Sequence, residues 1–113
     1  KTADKYGFSL IKDYGGHGIG TEMHEDPFIP NYYSPELGLG PFLRPGMCLA
    51  IEPMVMSGTC EYITEKDGWG IVSADRKLTA HYENDIVITE NGPIITSVDS
   101  NVKRHLKELG LKA

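Results

Sequence analysis

Apolar and polar positions divide the chain into short, mostly extended segments. Residues 2–6 can finish a helix that Gly7 stops, and residues 8–12 alternate well enough for a strand. Residues 47–56 (Met-Cys-Leu-Ala-Ile-Glu-Pro-Met-Val-Met) are largely apolar on both faces of an extended backbone, which predicts a central, buried strand. Residues 78–89 predict a second long strand, turned at Asn91-Gly92 into a return strand at 94–96. Between these two, residues 62–64 and 70–73 predict a hairpin joined through Lys66-Asp67-Gly68. A helical period returns only near the end. There Val102, Leu106 and Leu109 share one face, behind an N-cap at Asp99 or Ser100 and before a stop at Gly110.

Two stretches depart from strand patterning. Residues 15–20 carry four glycines around His17 and Ile19, which predicts a loop whose backbone comes close to something. Residues 26–42 hold Pro27, Pro30, Pro35, Pro41, Gly38 and Gly40, which predicts an irregular surface crossing. The order of elements reads as an α+β fold centred on antiparallel sheet with flanking helices, without internal repeats.

Size and composition narrow this only slightly. A chain of 113 residues fits one domain with a modest core, and 40% hydrophobic with 24% charged residues is ordinary for a globular protein. A net charge of −5, scattered over the chain, gives no reason to expect nucleic acid or an anionic membrane as partner. No apolar run is long enough to span a membrane, and no signal peptide is evident. Cys48 and Cys60 are too far apart for a Cys-x-x-Cys motif, and Cys48 reads as a buried free thiol. Thiols that need no pairing, with those absences, predict a cytoplasmic protein.

The chemistry concentrates in four residues. Glu52 interrupts the apolar run Ala50-Ile51-Glu52-Pro53-Met54, where an unpartnered carboxylate would cost several kcal/mol to desolvate. Glu83 lies in Ala80-His81-Tyr82-Glu83-Asn84-Asp85. Two such carboxylates repel unless a divalent cation lies between them. With His17 and His24, in Gly15-Gly16-His17-Gly18-Ile19-Gly20-Thr21-Glu22-Met23-His24, they form a donor set suited to Mn, Fe, Co or Zn. The plainer readings are a turn histidine at 17, a surface histidine at 24, and rim carboxylates paired with Arg44 or Lys77. The last is a poor fit to the apolar setting of Glu52 and a better one at Glu83. The Gly-His-Gly-Ile-Gly string lacks dinucleotide-loop spacing and no helical pattern follows it. His105, among Lys103, Arg104 and Lys107, reads as solvent-facing.

Together, the segments around His17, Glu52 and Glu83 resemble the type I methionine aminopeptidases of the pita-bread (creatinase/aminopeptidase) metallopeptidase family, from about Ala3 to Thr96. The resemblance implies two divalent metal ions (Co, Mn, Fe or Zn), with His17 and Glu52 as ligands and Glu83 bridging both. Glu52 is implied also as a proton shuttle. His24 is implied as a catalytic histidine that is not a ligand and donates a hydrogen bond near the scissile carbonyl. Met23 and Trp69 match positions walling the methionine side-chain pocket, with ordinary packing an equally open reading for both. His81 stands where many members carry glutamine and could touch a ligand rather than the metal. Asn84-Asp85 replaces the usual His-Thr.

The activity implied is removal of the initiator methionine from nascent polypeptides. Residues 1–113 correspond to the C-terminal half of that fold, a single partial domain. The family's two aspartate ligands and a substrate-facing histidine come from an N-terminal half that nothing here matches, so this chain is expected to be inactive alone and to pair with that half. A proline-specific peptidase of the same fold fits less well, because Glu52-Pro53-Met54 replaces Glu-Pro-Gly. A non-catalytic binding module is the reading from another class, disfavoured by the four intact residues.

Overall fold

The computed structural model describes residues 1–110. Two helices flank ten strands in chain order: α1 (Thr2–Lys5), β1 (Ser9–Leu10), β2 (Gly15–Gly18), β3 (Glu25–Pro30), β4 (Cys48–Ile51), β5 (Met54–Met56), β6 (Tyr62–Thr64), β7 (Ile71–Ser73), β8 (Thr79–His81), β9 (Asn84–Thr89), β10 (Gly92–Ile95) and α2 (Ser100–Glu108). The strands form a five-stranded sheet in the order β10-β9-β4-β2-β3, a three-stranded sheet β1-β5-β8, and the hairpin β6-β7. Each pairing is antiparallel, as the α+β reading requires. Leu49 and Ala50 of β4, Met56 of β5 and Ile11 are the buried apolar core.

Three expectations need correction. The glycine-rich stretch is a strand inside the five-stranded sheet, not a loop. Its glycines do permit close approach, and what approaches is neighbouring backbone. A Cβ at Gly15, Gly16 or Gly18 would run into the carbonyl oxygens of Ile29, Ala50 and Asp26 respectively. The proline-rich stretch is not irregular throughout, since it begins with β3. This is the edge strand of its sheet, the position where a strand tolerates proline. Only a 3-10 turn at Pro35–Leu37 follows before β4.

The two long strands are each broken in two. The first parts at Glu52-Pro53 into β4 and β5, and the second at Tyr82-Glu83 into β8 and β9. The halves then join different sheets: β4 pairs with β9, while β5 pairs with β8. Proline supplies the cause in the first case, because Pro53 has no N–H to donate to a ladder. At the other end of the chain, Asp99 caps α2 by accepting hydrogen bonds from the N–H groups of Asn101 and Val102, each at 2.8 Å. Among the described residues, α2 has none that is fully buried.

Candidate metal centre

The strand breaks build the site. Ile51 lies opposite Asn84 at the end of one ladder, and Met54 lies opposite His81 at the start of the next. Glu52 and Glu83 therefore sit in facing gaps where the chain crosses between sheets. The Tyr82 N–H donates to the Pro53 carbonyl at 3.4 Å across that gap. A regular strand there would have committed the backbone to the ladder. The break frees both carboxylates to turn toward one another.

His17 enters from β2, where it lies opposite Ala50 of β4. The pairing of β2 with β3 slips in register between His17 and Gly18, a local irregularity of the kind that re-aims a side chain. Its Nδ1 donates to the Gly18 carbonyl at 2.8 Å. A carbonyl oxygen can only accept, so Nδ1 carries the ring proton and Nε2 is free as a metal donor. Nε2 lies 3.2 Å from Glu52 Oε1, with both side chains about 15% exposed (14% and 16%). The other oxygen, Glu52 Oε2, lies 3.2 Å from His81 Nε2. Each oxygen of one carboxylate thus faces an imidazole nitrogen. A proton or a cation must lie between such lone pairs.

Glu83 completes a cluster: one donor atom from each of Glu52, His81 and Glu83 lies within 4.8 Å of the others. These are distances over which a carboxylate–imidazole set can share an ion. The donor set fits a divalent cation. His17 stands outside that group of three and is linked to it through Glu52. His81, which the sequence placed against a ligand, does lie 3.2 Å from Glu52, and the cluster brings it near Glu83 as well. Its proximity follows from the β5–β8 register and leaves no mark in spacing along the chain.

His24 lies on the turn between β2 and β3, with its ring 4.3 Å from that of His17 and inclined by 53°. It is exposed, and no carboxylate partner of it is found among the described residues. His17, His24, Glu52, His81 and Trp69 line one open cleft of about 1120 Å³, with Phe28, Met54 and Ile71 among its apolar walls. Trp69 is 89% exposed. Its loop is held by Asp67, whose Oδ1 accepts from the N–H groups of Trp69 at 2.9 Å and Gly70 at 2.8 Å. Those two bonds, the Trp69 one foremost, hold the Asp67 carboxyl below its ordinary range. Met23, 71% exposed, is not among the residues lining the cleft.

Asp85 adds a further carboxylate nearby. Through the register it shares a sheet face with Ala50 and His17 across three neighbouring strands. Its Oδ1 is buried without a hydrogen-bond partner among the described residues.

The sheet crossover brings together imidazole and carboxylate donors that suit a divalent cation, and residues 1–90 match metallopeptidase family M24: the chain belongs to that family. It is 53% identical over 92 residues to a methionine aminopeptidase of Clostridium perfringens, covering 81% of this chain and 36% of the relative. It is 50% identical over 92 residues to methionine aminopeptidase 1 of Bacillus subtilis, covering 80% and 36%. In three dimensions it is similar to methionine aminopeptidase from Thermotoga maritima, with a TM-score of 0.78 and 52% identity over 83% of this chain and 37% of that one. The enzyme from Rickettsia prowazekii matches with the same TM-score, 0.78, at 38% identity over 85% and 38%. These neighbours carry the pita-bread fold, and this chain has part of it. The chain spans about 36% of the length of the named relatives. Among the described residues no helix is long and apolar enough to cross a membrane.

Proposed function

We propose that this chain is the C-terminal half of a methionine aminopeptidase, contributing His17, Glu52 and Glu83 to a centre for two divalent ions drawn from Mn, Fe, Co and Zn. The observation that carries the reading is the placement of Glu52 and Glu83 at facing strand breaks, with His17 Nε2 3.2 Å from Glu52. The substrate is the N-terminal methionine of a peptide or nascent protein, as the names of the relatives suggest. The remaining ligands come from a segment outside these 113 residues, a reading supported by the 36% share of the relatives' length.

Bound divalent cations supply a nucleophile from water at neutral pH and polarise the scissile carbonyl. The chain's own residues do the rest. The Gly18 carbonyl fixes the His17 tautomer, so that Nε2 stays a donor and the ring cannot turn away. Glu52 has two oxygens within reach of the centre, which lets it hold an ion and pass a proton from the attacking water to the leaving amine. His24, beside His17 yet without a carboxylate partner, donates to the substrate oxygen as charge develops on it. Trp69 forms one wall for the methionine side chain, whereas Met23, exposed on the turn beside His24, lies off the cleft lining. The site works in the cytoplasm on newly made chains.

Release of methionine from a Met-Gly-Met peptide, by this chain alone and by this chain mixed with the segment that completes it, tests the reading. Activity with Mn²⁺ or Co²⁺ is expected only from the mixture. Robust turnover by a monodisperse 113-residue sample would sink the half-site proposal.

A further inference from the structure

We propose that His81 is itself a metal donor, binding an ion through Nε2 beside Glu52 Oε2 and Glu83, and that this extra nitrogen tilts the centre toward zinc, cobalt or iron and away from manganese. The inference rests on the metal-centre reading above and adds a ligand to it.

Three observations carry it. First, His81 belongs with Glu52 and Glu83 to the one group of donors within 4.8 Å of each other among the described residues. Second, Glu52 is shared: Oε1 faces His17 Nε2 and Oε2 faces His81 Nε2, each at 3.2 Å. Two donors 3.2 Å apart, each about 2.1 Å from a common ion, subtend about 100° there, between the octahedral and tetrahedral angles. Third, the His81 side chain is 46% exposed, so packing does not force the ring against the carboxylate. What fixes its position is the backbone, through the pairing of His81 with Met54, two residues beyond Glu52.

The consequence for metal choice follows from donor chemistry. Carboxylate and water donors suit manganese, whereas imidazole favours zinc, cobalt and iron. A second imidazole on Glu52 therefore strengthens binding of the latter more than of manganese.

The test uses the intact protein and its His81→Gln variant. Glutamine can still donate a hydrogen bond to Glu52, so it keeps any orienting role and removes only the metal donor. X-ray absorption of the zinc-loaded proteins counts imidazoles, and competition with a chelator gives affinities for zinc and manganese. The variant is expected to lose one imidazole from the zinc shell and about tenfold or more in zinc affinity, with a smaller loss for manganese. Independently of any substitution, the ring nitrogen resonance of His81 should shift when zinc is added. An unchanged imidazole count with an unmoved His81 resonance overturns the proposal, even if affinity falls, because His81 would then act only by orienting Glu52. Failure of the intact protein to bind any divalent ion would overturn the metal-centre reading as well, which separates the two.

Discussion

Glu52 is the residue on which the site turns, because both of its oxygens face imidazoles from different sheets. At this scale the ligands and His24 should separate experimentally. In the intact protein, Glu83→Gln is expected to abolish metal loading and activity together, since a neutral amide neither neutralises nor bridges cations. His24→Ala should leave the metal bound while kcat falls about 10²–10³-fold, because the hydrogen bond proposed for it would strengthen as the carbonyl oxygen gains charge. Metal analysis beside steady-state kinetics distinguishes these outcomes. Metal lost in proportion to activity in the His24 variant would reassign that residue as a ligand.

Among the elements, β2 has the least tolerance. Gly16 has no room for a side chain beneath the Ala50 carbonyl, so Gly16→Ala must push β2 away from β4. A loss of about 1–3 kcal/mol is expected for such overpacking, and it should carry His17 away from Glu52. Urea unfolding measures the first effect and metal affinity the second. Stability near that of the unsubstituted protein would mean that the sheet gives way more easily than its register implies.

The Trp69 loop is governed by acid in a different manner. Asp67 is more acidic folded than unfolded, so its contribution is complete above the ordinary value of 3.8 and disappears as pH falls below it. Trp69 is the only tryptophan, and its emission should stay constant from neutral pH until that range and change beneath it. Asp67→Ala should produce the altered emission already at neutral pH. Asp75 behaves alike: the Thr59 N–H, then the Ser73 hydroxyl, lower its carboxyl to about 2. The tie between residues 59 and 73–77 therefore survives to lower pH than an ordinary aspartate would allow.

For the whole molecule, surface is the telling quantity. The accessible area is 8818 Å² for 12.5 kDa, against about 6200 Å² for a compact monomer of that mass. Leu39, Phe42 and Leu78 are 95%, 91% and 83% exposed. β4 and β9 are buried to half-buried, and the open apolar surface lies more on residues 37–43 and on Ile94 and Ile95 of β10. Such surface drives association. Sedimentation of the 113-residue chain should show dimers or larger species as concentration rises. A compact monomer at high concentration would show that these 113 residues are self-sufficient.

The sequence by itself determined the antiparallel character, the hairpin at Lys66-Asp67-Gly68, the Asn91-Gly92 turn and a helix cap at Asp99 or Ser100, of which the structure uses Asp99, because each depends on neighbours only a few residues apart. It also marked Glu52, since a carboxylate in an apolar run is conspicuous without any knowledge of its partners. What only the tertiary structure decided was where strands end and who meets whom. Glycine-rich β2 reads as a loop until the carbonyls of Ala50 and Asp26 are seen pressing on it. The breaks at Glu52-Pro53 and Tyr82-Glu83 matter because they face each other, thirty-one residues apart along the chain. His81 meets Glu52 through that same pairing, and strand register is a property of two segments that neither records alone.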